Sequence, residues 1–195
     1  MCGVIGLSAK NDGIQKNLGK VAYFGLFNLQ HRGQESAGIS VCDADGDIKT
    51  LKAMGTVDWV FRSRIRRKAA IGFIRTHPAL DYDELETAFD EWERAQDDFS
   101  RQGKTSHVHN PLVDLGGQAA IGHVRYPTCG ASSNKNIHPV PFLFGGKNAV
   151  LAQNGNSVRL ERLRAIVLAR DPGYVFQGDS DTELIAALIA TSSCR

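Results

Sequence analysis

Residues 36–55 read SAGISVCDADGDIKTLKAMG. Apolar and polar residues alternate on both sides of DADGD, the period of a half-buried strand, and an Asp-Gly pair supplies the turn of a hairpin. The stretch therefore predicts two short strands joined by a tight Asp-Gly turn, in a sheet that is at least partly antiparallel. Upstream, LGKVAYFGLFNLQHRG (18–33) spaces Leu18, Val21, Ala22, Phe24 and Leu29 as one helical face packed on that sheet, with Gly33 just past the helix end. Farther upstream, NDGIQKN (11–17) is turn-like, and Val4, Ile5 and Leu7 form a short apolar strand at the start of the chain.

Downstream the character changes. Residues 62–117 carry a charged helical pattern, DYDELETAFDEWERAQDDFSRQGK (81–104), on which Phe89, Trp92 and Phe99 could share one face. No apolar alternation comparable to the flanks occurs there. Strand character resumes in GQAAIGHVRYPT (117–128) and again in KNAVLAQNG (147–155), both running into polar ends where a site could lie. SVRLERLRAIVLARDPG (157–173) puts Leu160, Leu163, Ile166 and Val167 on one helical face and stops at Asp171-Pro172-Gly173. SDTELIAALIATS (180–192) opens with Ser180 and Glu183 at capping-box spacing, so a second helix starts there. The order is strand, helix, hairpin, insertion, strand, strand, helix, helix. It predicts an α+β fold in which helices cover an antiparallel sheet.

A chain of 195 residues with 42% hydrophobic content is one globular domain with a real core. Its net charge of +2 gives no argument for nucleic acid or an anionic membrane, and the basic run RSRIRRK (62–68) reads as a solvated face. Cys2, Cys42, Cys129 and Cys194 are scattered without a CxxC pair, so neither a zinc site nor a disulfide framework is indicated. Reduced thiols, no secretory signal and no membrane-spanning apolar run together point to a cytoplasmic protein.

The position of Cys2 behind the initiator methionine is its own clue. Removal of Met1 leaves one residue carrying a thiol and an α-amine, whose free pKa values of about 8.5 and 7.7–8.0 let the amine take the thiol proton near neutrality. Four polar segments also call for explanation: LQHRGQESAG (29–38), GHVRYPTCG (122–130), AQNGN (152–156) and GDSDTE (178–183). Singly, each has a plain alternative. Arg125 reads equally as a surface arginine, Asn154-Gly155 as a type I′ turn, and Asp181 as an acid favoured in a helix first turn.

Together the segments match one site. MCGVIG at the start, LQHRGQESAGI (29–39), GHVRYPT (122–128), NGN (154–156) and SDTELI (180–185) resemble, in order, the glutamine amidotransferases whose glutaminase domain is an N-terminal-nucleophile hydrolase. His31 before Arg32, and Tyr126-Pro127 after Arg125, resemble the amidophosphoribosyltransferase branch, which opens purine synthesis. The branch that makes glucosamine 6-phosphate carries other residues there, and asparagine synthetases fit less well.

This resemblance implies a four-layer αββα sandwich, incomplete at its C-terminus, with residues 2–195 as a truncated glutaminase domain and 62–117 as an insertion of unknown role. It implies Cys2 as nucleophile, the Asn154 side chain and Gly155 N–H as oxyanion donors, and Arg32 and Gly33 as support that closes over the nucleophile. Arg125 would pair with the α-carboxylate of L-glutamine, Thr128 would add a hydrogen bond to it, and Asp181 would receive the α-ammonium. No cofactor is implied for this chain. Magnesium belongs to the full-length enzyme, and an iron–sulfur cluster is left open. Phosphoribosyl pyrophosphate would be met only through a phosphoribosyltransferase domain absent from these residues, and the full-length enzyme would form a homo-oligomer. Gln153 stands where histidine is common, and Cys129 where a small residue or histidine is usual. The competing readings are a non-catalytic truncated fragment that binds glutamine or a partner, and another amidotransferase of the same class, such as glucosamine-6-phosphate synthase.

Overall fold

The computed structural model describes residues 2–63, 84, 88, 91, 112, 114–126 and 132–192. The hairpin expected from residues 36–55 is present. β2 (Ser36–Cys42) and β3 (Ile48–Met54) pair antiparallel from Ser36↔Met54 to Cys42↔Ile48. Their loop is longer than a two-residue turn. Asp43 Oδ1 accepts from the backbone N–H groups of Asp45 and Asp47 at 3.1 and 2.9 Å, and Gly46 takes the left-handed φ of 88° that a side chain would resist.

β1 (Gly3–Ser8) and β4 (Ala119–Arg125) complete a four-stranded antiparallel sheet of order β1-β4-β2-β3. β4 lies between the chain's first strand and the hairpin, with Gly3 opposite Val124 and Ser36 opposite Arg125. That placement brings the two sequence ends LQHRG and HVRYP to one edge. α1 (Asp12–Gln15) is a single turn capped by Asn11, and α2 (Leu18–Asn28) packs across β1, β4 and β2.

The helix exists where expected, but its buried face is different. Leu18, Gly19, Ala22, Tyr23 and Leu26 are buried, whereas Val21 and Phe24 are exposed. The reason is the small residues. A Cβ on Gly19 would come within 2.5 Å of Leu115 Cβ, and one on Gly25 within 2.2 Å of Ile5 Cδ1, so the helix is pressed closest where it carries glycine. Apolar residues run around most of this helix, and periodicity alone did not choose among them.

Ala37, Ile39 and Val41 of β2 join Val124 of β4 in the core under α2. Val57, Val60 and Phe61, at and beside the π-helical turn Trp59–Ser63, belong to the same core, as do Leu112 and Leu115. The last two fall inside the stretch 62–117, read from the sequence as an insertion of unknown role, and its C-terminal edge packs against α2. The helical pattern at 81–104, with Phe89, Trp92 and Phe99, lies outside the described residues except for isolated positions.

A second sheet pairs β5 (Val140–Phe144) with β6 (Lys147–Leu151) through Gly145 and Gly146, both at positive φ. β5 was missed in the sequence, although PFLFGGKNAVL (141–151) has the apolar–Gly-Gly–apolar form of a hairpin. α3 (Leu160–Arg170) presents Val167 inward and ends at Asp171, as its stop signal predicted. α4 (Asp181–Ala190) packs on β5 and α3. Ser180 caps it, accepting from Glu183 N at 3.2 Å. Glu183 does not complete the box; its carboxylate accepts from the backbone N–H groups of Gln177 and Gly178, anchoring the loop that enters the helix.

The two sheets face each other through a polar layer. A Cβ on Gly38 would sit 2.1 Å from His138 O, so β2 touches the chain just before β5 with no room for a side chain. Lys52 Nζ, on β3, donates to the carbonyls of Ile137 and Pro139 at 2.7 and 2.8 Å. The layers run helix, sheet, sheet, helices, an α+β sandwich as expected. Among the described residues no helix is long and apolar enough to cross a membrane.

Candidate active site

Cys2 precedes β1 by one residue, and pairing of Gly3 with Val124 places it beside the end of β4. The thiol is buried, and its Sγ accepts from Tyr126 N at 3.3 Å. Arg32, at the end of the 3-10 turn Gln30–Arg32, donates Nε to Cys2 O at 3.1 Å. Gly33 follows with its Cα against β4; a Cβ there would lie 2.6 Å from the carbonyl carbon of Arg125. Only glycine permits that approach. Cys2, Arg32, Gly33 and Arg125 thus meet at one strand end.

Arg125 is not a surface arginine. It is 3% exposed, and its Nη1 donates to Glu35 Oε1 at 3.0 Å. The two residues are also joined by backbone, Glu35 N donating to Arg125 O at 3.1 Å. A buried guanidinium requires such a counter-charge, since desolvation of an unpaired one costs several kcal/mol. Glu35 stands within the quoted GQESAG segment, yet sequence reasoning assigned it no role.

Two residues back on β4, His123 Nε2 lies 3.0 Å from Gln153 O. A carbonyl accepts, so this nitrogen carries the proton and Nδ1 is bare. Its ring lies 4.2 Å, centroid to centroid, from that of His138. Neither Nδ1 has a hydrogen-bond partner. Burial first, then the charges of His138 and Arg125, push His123 down to about 3, against the opposing pull of the Gln153 carbonyl. Burial, then Arg125 and Lys52, bring His138 to about 4. Burial also lowers Lys52 below the usual lysine value. Both imidazoles are neutral at physiological pH and act as packing and hydrogen-bonding groups between the sheets.

The carbonyl that His123 holds immediately precedes Asn154 and Gly155. These two are exposed at the end of β6, and a Cβ on Gly155 would meet nothing nearer than Gln153 Oε1 at 3.6 Å. Asp181, in the first turn of α4, is buried and its Oδ2 accepts from Ser157 N at 2.7 Å. The site residues therefore form two groups: Cys2, Arg32, Gly33 and Arg125 at the end of β4, and Asp181 with the loop 154–157 at the end of β6. His123 bridges the strands that carry them. Thr128 and Cys129 lie outside the described residues.

Sequence reasoning missed Glu35, His123 and His138. The first two sit inside quoted motifs, and a charged or titratable residue alternating with apolar strand positions was the signal. His138, before Pro139, had none. Among the described residues no group of three or more His, Cys, Asp and Glu side chains is placed to hold a metal ion.

No protein-family model matches the chain. Amidophosphoribosyltransferase 2, chloroplastic, of Arabidopsis thaliana is 30% identical over 194 residues, covering all of this chain and 25% of that protein. The amidophosphoribosyltransferase of Lacticaseibacillus casei is 31% identical over 188 residues, covering 96% of this chain and 70% of that protein. Among solved structures, the glutamine phosphoribosylpyrophosphate amidotransferase of B. subtilis, complexed with ADP and GMP, superposes with a TM-score of 0.59 at 27% identity, over 100% of this chain and 30% of that one. The chain spans only about a quarter to a third of most of these relatives. Similarity that runs the length of the chain, on a matching fold, shows that the chain belongs to the amidophosphoribosyltransferase family of glutamine amidotransferase enzymes.

Proposed function

We propose that this chain is the glutaminase portion of an amidophosphoribosyltransferase, hydrolysing L-glutamine to glutamate and ammonia for phosphoribosylamine formation in purine synthesis. Residues 2–195 form the glutaminase domain, with the stretch from 62 to about 111 as an excursion from it. The observation that supports this most is the seating of the Cys2 sulfur on Tyr126 N, the residue after the buried Arg125. Nucleophile and substrate anchor are thereby neighbours.

With Met1 removed, the α-amine of Cys2 takes the thiol proton, and the thiolate attacks the side-chain amide carbon of glutamine. A C–S bond forms and the carbonyl oxygen becomes an oxyanion, received by the Asn154 amide and the Gly155 N–H. The open space around Gly155 suits that approach. The α-ammonium returns its proton to the departing nitrogen, the C–N bond breaks, and ammonia leaves a thioester. Water, deprotonated by the same amine, then releases glutamate. Arg125 holds the α-carboxylate by a planar fork, Thr128 adds a hydrogen bond to it, and Asp181 takes the α-ammonium of the substrate. Arg32 fixes the Cys2 backbone through its carbonyl. A reducing compartment such as the cytoplasm keeps the thiol competent. Phosphoribosyl pyrophosphate, the acceptor of the ammonia, is met by a phosphoribosyltransferase half outside these residues.

The test begins with the intact mass of the expressed protein, which should show Met1 removed. A diazo-ketone analogue of glutamine should then label Cys2 alone, and Cys2→Ala should abolish glutamine hydrolysis while leaving the melting temperature within a few degrees. Retained Met1, or labelling at Cys42 or Cys129, would overturn the mechanism.

A further inference from the structure

We propose that Glu35 is a positioning residue, which sets the plane of the Arg125 guanidinium for the α-carboxylate of bound glutamine. The inference rests on the reading of Arg125 as the carboxylate anchor.

An arginine side chain has many rotamers, and recognition of a carboxylate by two parallel N–H bonds needs one of them. Glu35 supplies the constraint from a position that is itself fixed. Its N–H is bonded to Arg125 O at 3.1 Å, and its carbonyl accepts from Gly55 N at 2.8 Å, so the backbone of Glu35 is held by both the end of β4 and the end of β3. From there Oε1 reaches Nη1 at 3.0 Å. Both side chains are more than nine-tenths buried, 4% exposed for Arg125 and 9% for Glu35, so water does not compete for the bond. Gly33 packs its Cα onto the Arg125 carbonyl from the same segment. Residues 33–35 therefore fix both the backbone and the head group of the anchor. The Oε2 atom of Glu35 is buried with no hydrogen-bond partner. A carboxylate kept there at such a cost serves its neighbour's geometry and charge, not its own solvation.

The experiment measures binding in a Cys2→Ala background, which holds glutamine without turning it over. Two ligands are compared by calorimetry: L-glutamine and its α-amide, which lacks the carboxylate. Glu35→Ala should weaken L-glutamine binding about tenfold or more, the scale of a charge-assisted hydrogen bond, and leave the α-amide unaffected. Arg125→Lys should show the same selectivity, and the double variant should bind no more weakly than Arg125→Lys alone. Glu35→Gln keeps an acceptor for Nη1 and should recover part of the loss; it carries the same ligand comparison if Glu35→Ala does not fold. Equal weakening of both ligands, additive losses in the double variant, or unchanged glutamine binding in Glu35→Ala and Glu35→Gln would overturn the positioning role. Unchanged binding in Arg125→Lys, or none in the Cys2→Ala parent, would overturn the anchor reading and this role with it.

Discussion

His123 Nε2 lies 3.0 Å from the carbonyl oxygen of Gln153, tying the middle of the central strand β4 to the residue before Asn154. The bond joins the two halves of the candidate site through a neutral imidazole that packs, tilted by 48°, against a second one, His138.

That pair makes stability depend on pH in a defined direction. Both folded-state values, about 3 for His123 and about 4 for His138, lie below the ordinary 6.5. Between these limits the unfolded chain binds protons that the folded chain does not. The contribution is therefore fully present above pH 6.5 and is lost as pH falls toward 4, at up to about 1.4 kcal/mol per pH unit for each histidine. Thermal melts at half-unit steps from pH 7.5 to 4 should show this slope, and His138→Gln should flatten it. Equal slopes for the two proteins would show that His138 is not held neutral in the fold.

Asp181 serves a backbone and, in the proposed site, a substrate. Its carboxylate accepts from Ser157 N at 2.7 Å. Asparagine keeps an acceptor for that bond but has no charge for an ammonium group. Asp181→Asn should hold the melting temperature within a few degrees and raise KM for glutamine by about tenfold or more, whereas Asp181→Ala should lower both stability and affinity. An Asn variant with the parent KM would remove Asp181 from the substrate grip.

Leu115 belongs to the core under α2. It is 4% exposed and packs against α2 at Gly19, whose N–H donates to the Leu115 carbonyl at 2.8 Å. Leu115→Ala should cost about 2–5 kcal/mol in denaturant unfolding, because the cavity cannot close against the backbone of the helix. Replacing residues 66–109 by a short Gly-Ser linker keeps Leu112 and Leu115 and should leave the unfolding midpoint near that of the parent. A mild effect of the first change and a severe one of the second would place the excursion, and not its edge, in the core.

Much of this protein was decided locally and is legible in the chain. The 36–55 hairpin, the strand of GQAAIGHVR, the Ser180 cap and the Asp171 stop each depend on residues within one turn or one strand of themselves, so side-chain period and turn chemistry specify them. The polar segments around Cys2, Arg32, Arg125, Asn154 and Asp181 were legible as words for the same reason. What tertiary structure alone decided is which groups face which. α2 turns its glycines inward and not Phe24, because closeness of approach depends on Ile5 of β1 and on Leu115, which precedes β4, both outside the helix's own sequence. Arg125 is buried because β4 pairs with β2 in the register that puts Ser36 opposite it, and Glu35 beside it follows from that register. Two histidines fifteen positions apart become one neutral pair because two sheets close over them. Charge, protonation and orientation in a site are properties of the enclosed volume, and that volume exists only after segments remote in the chain have packed.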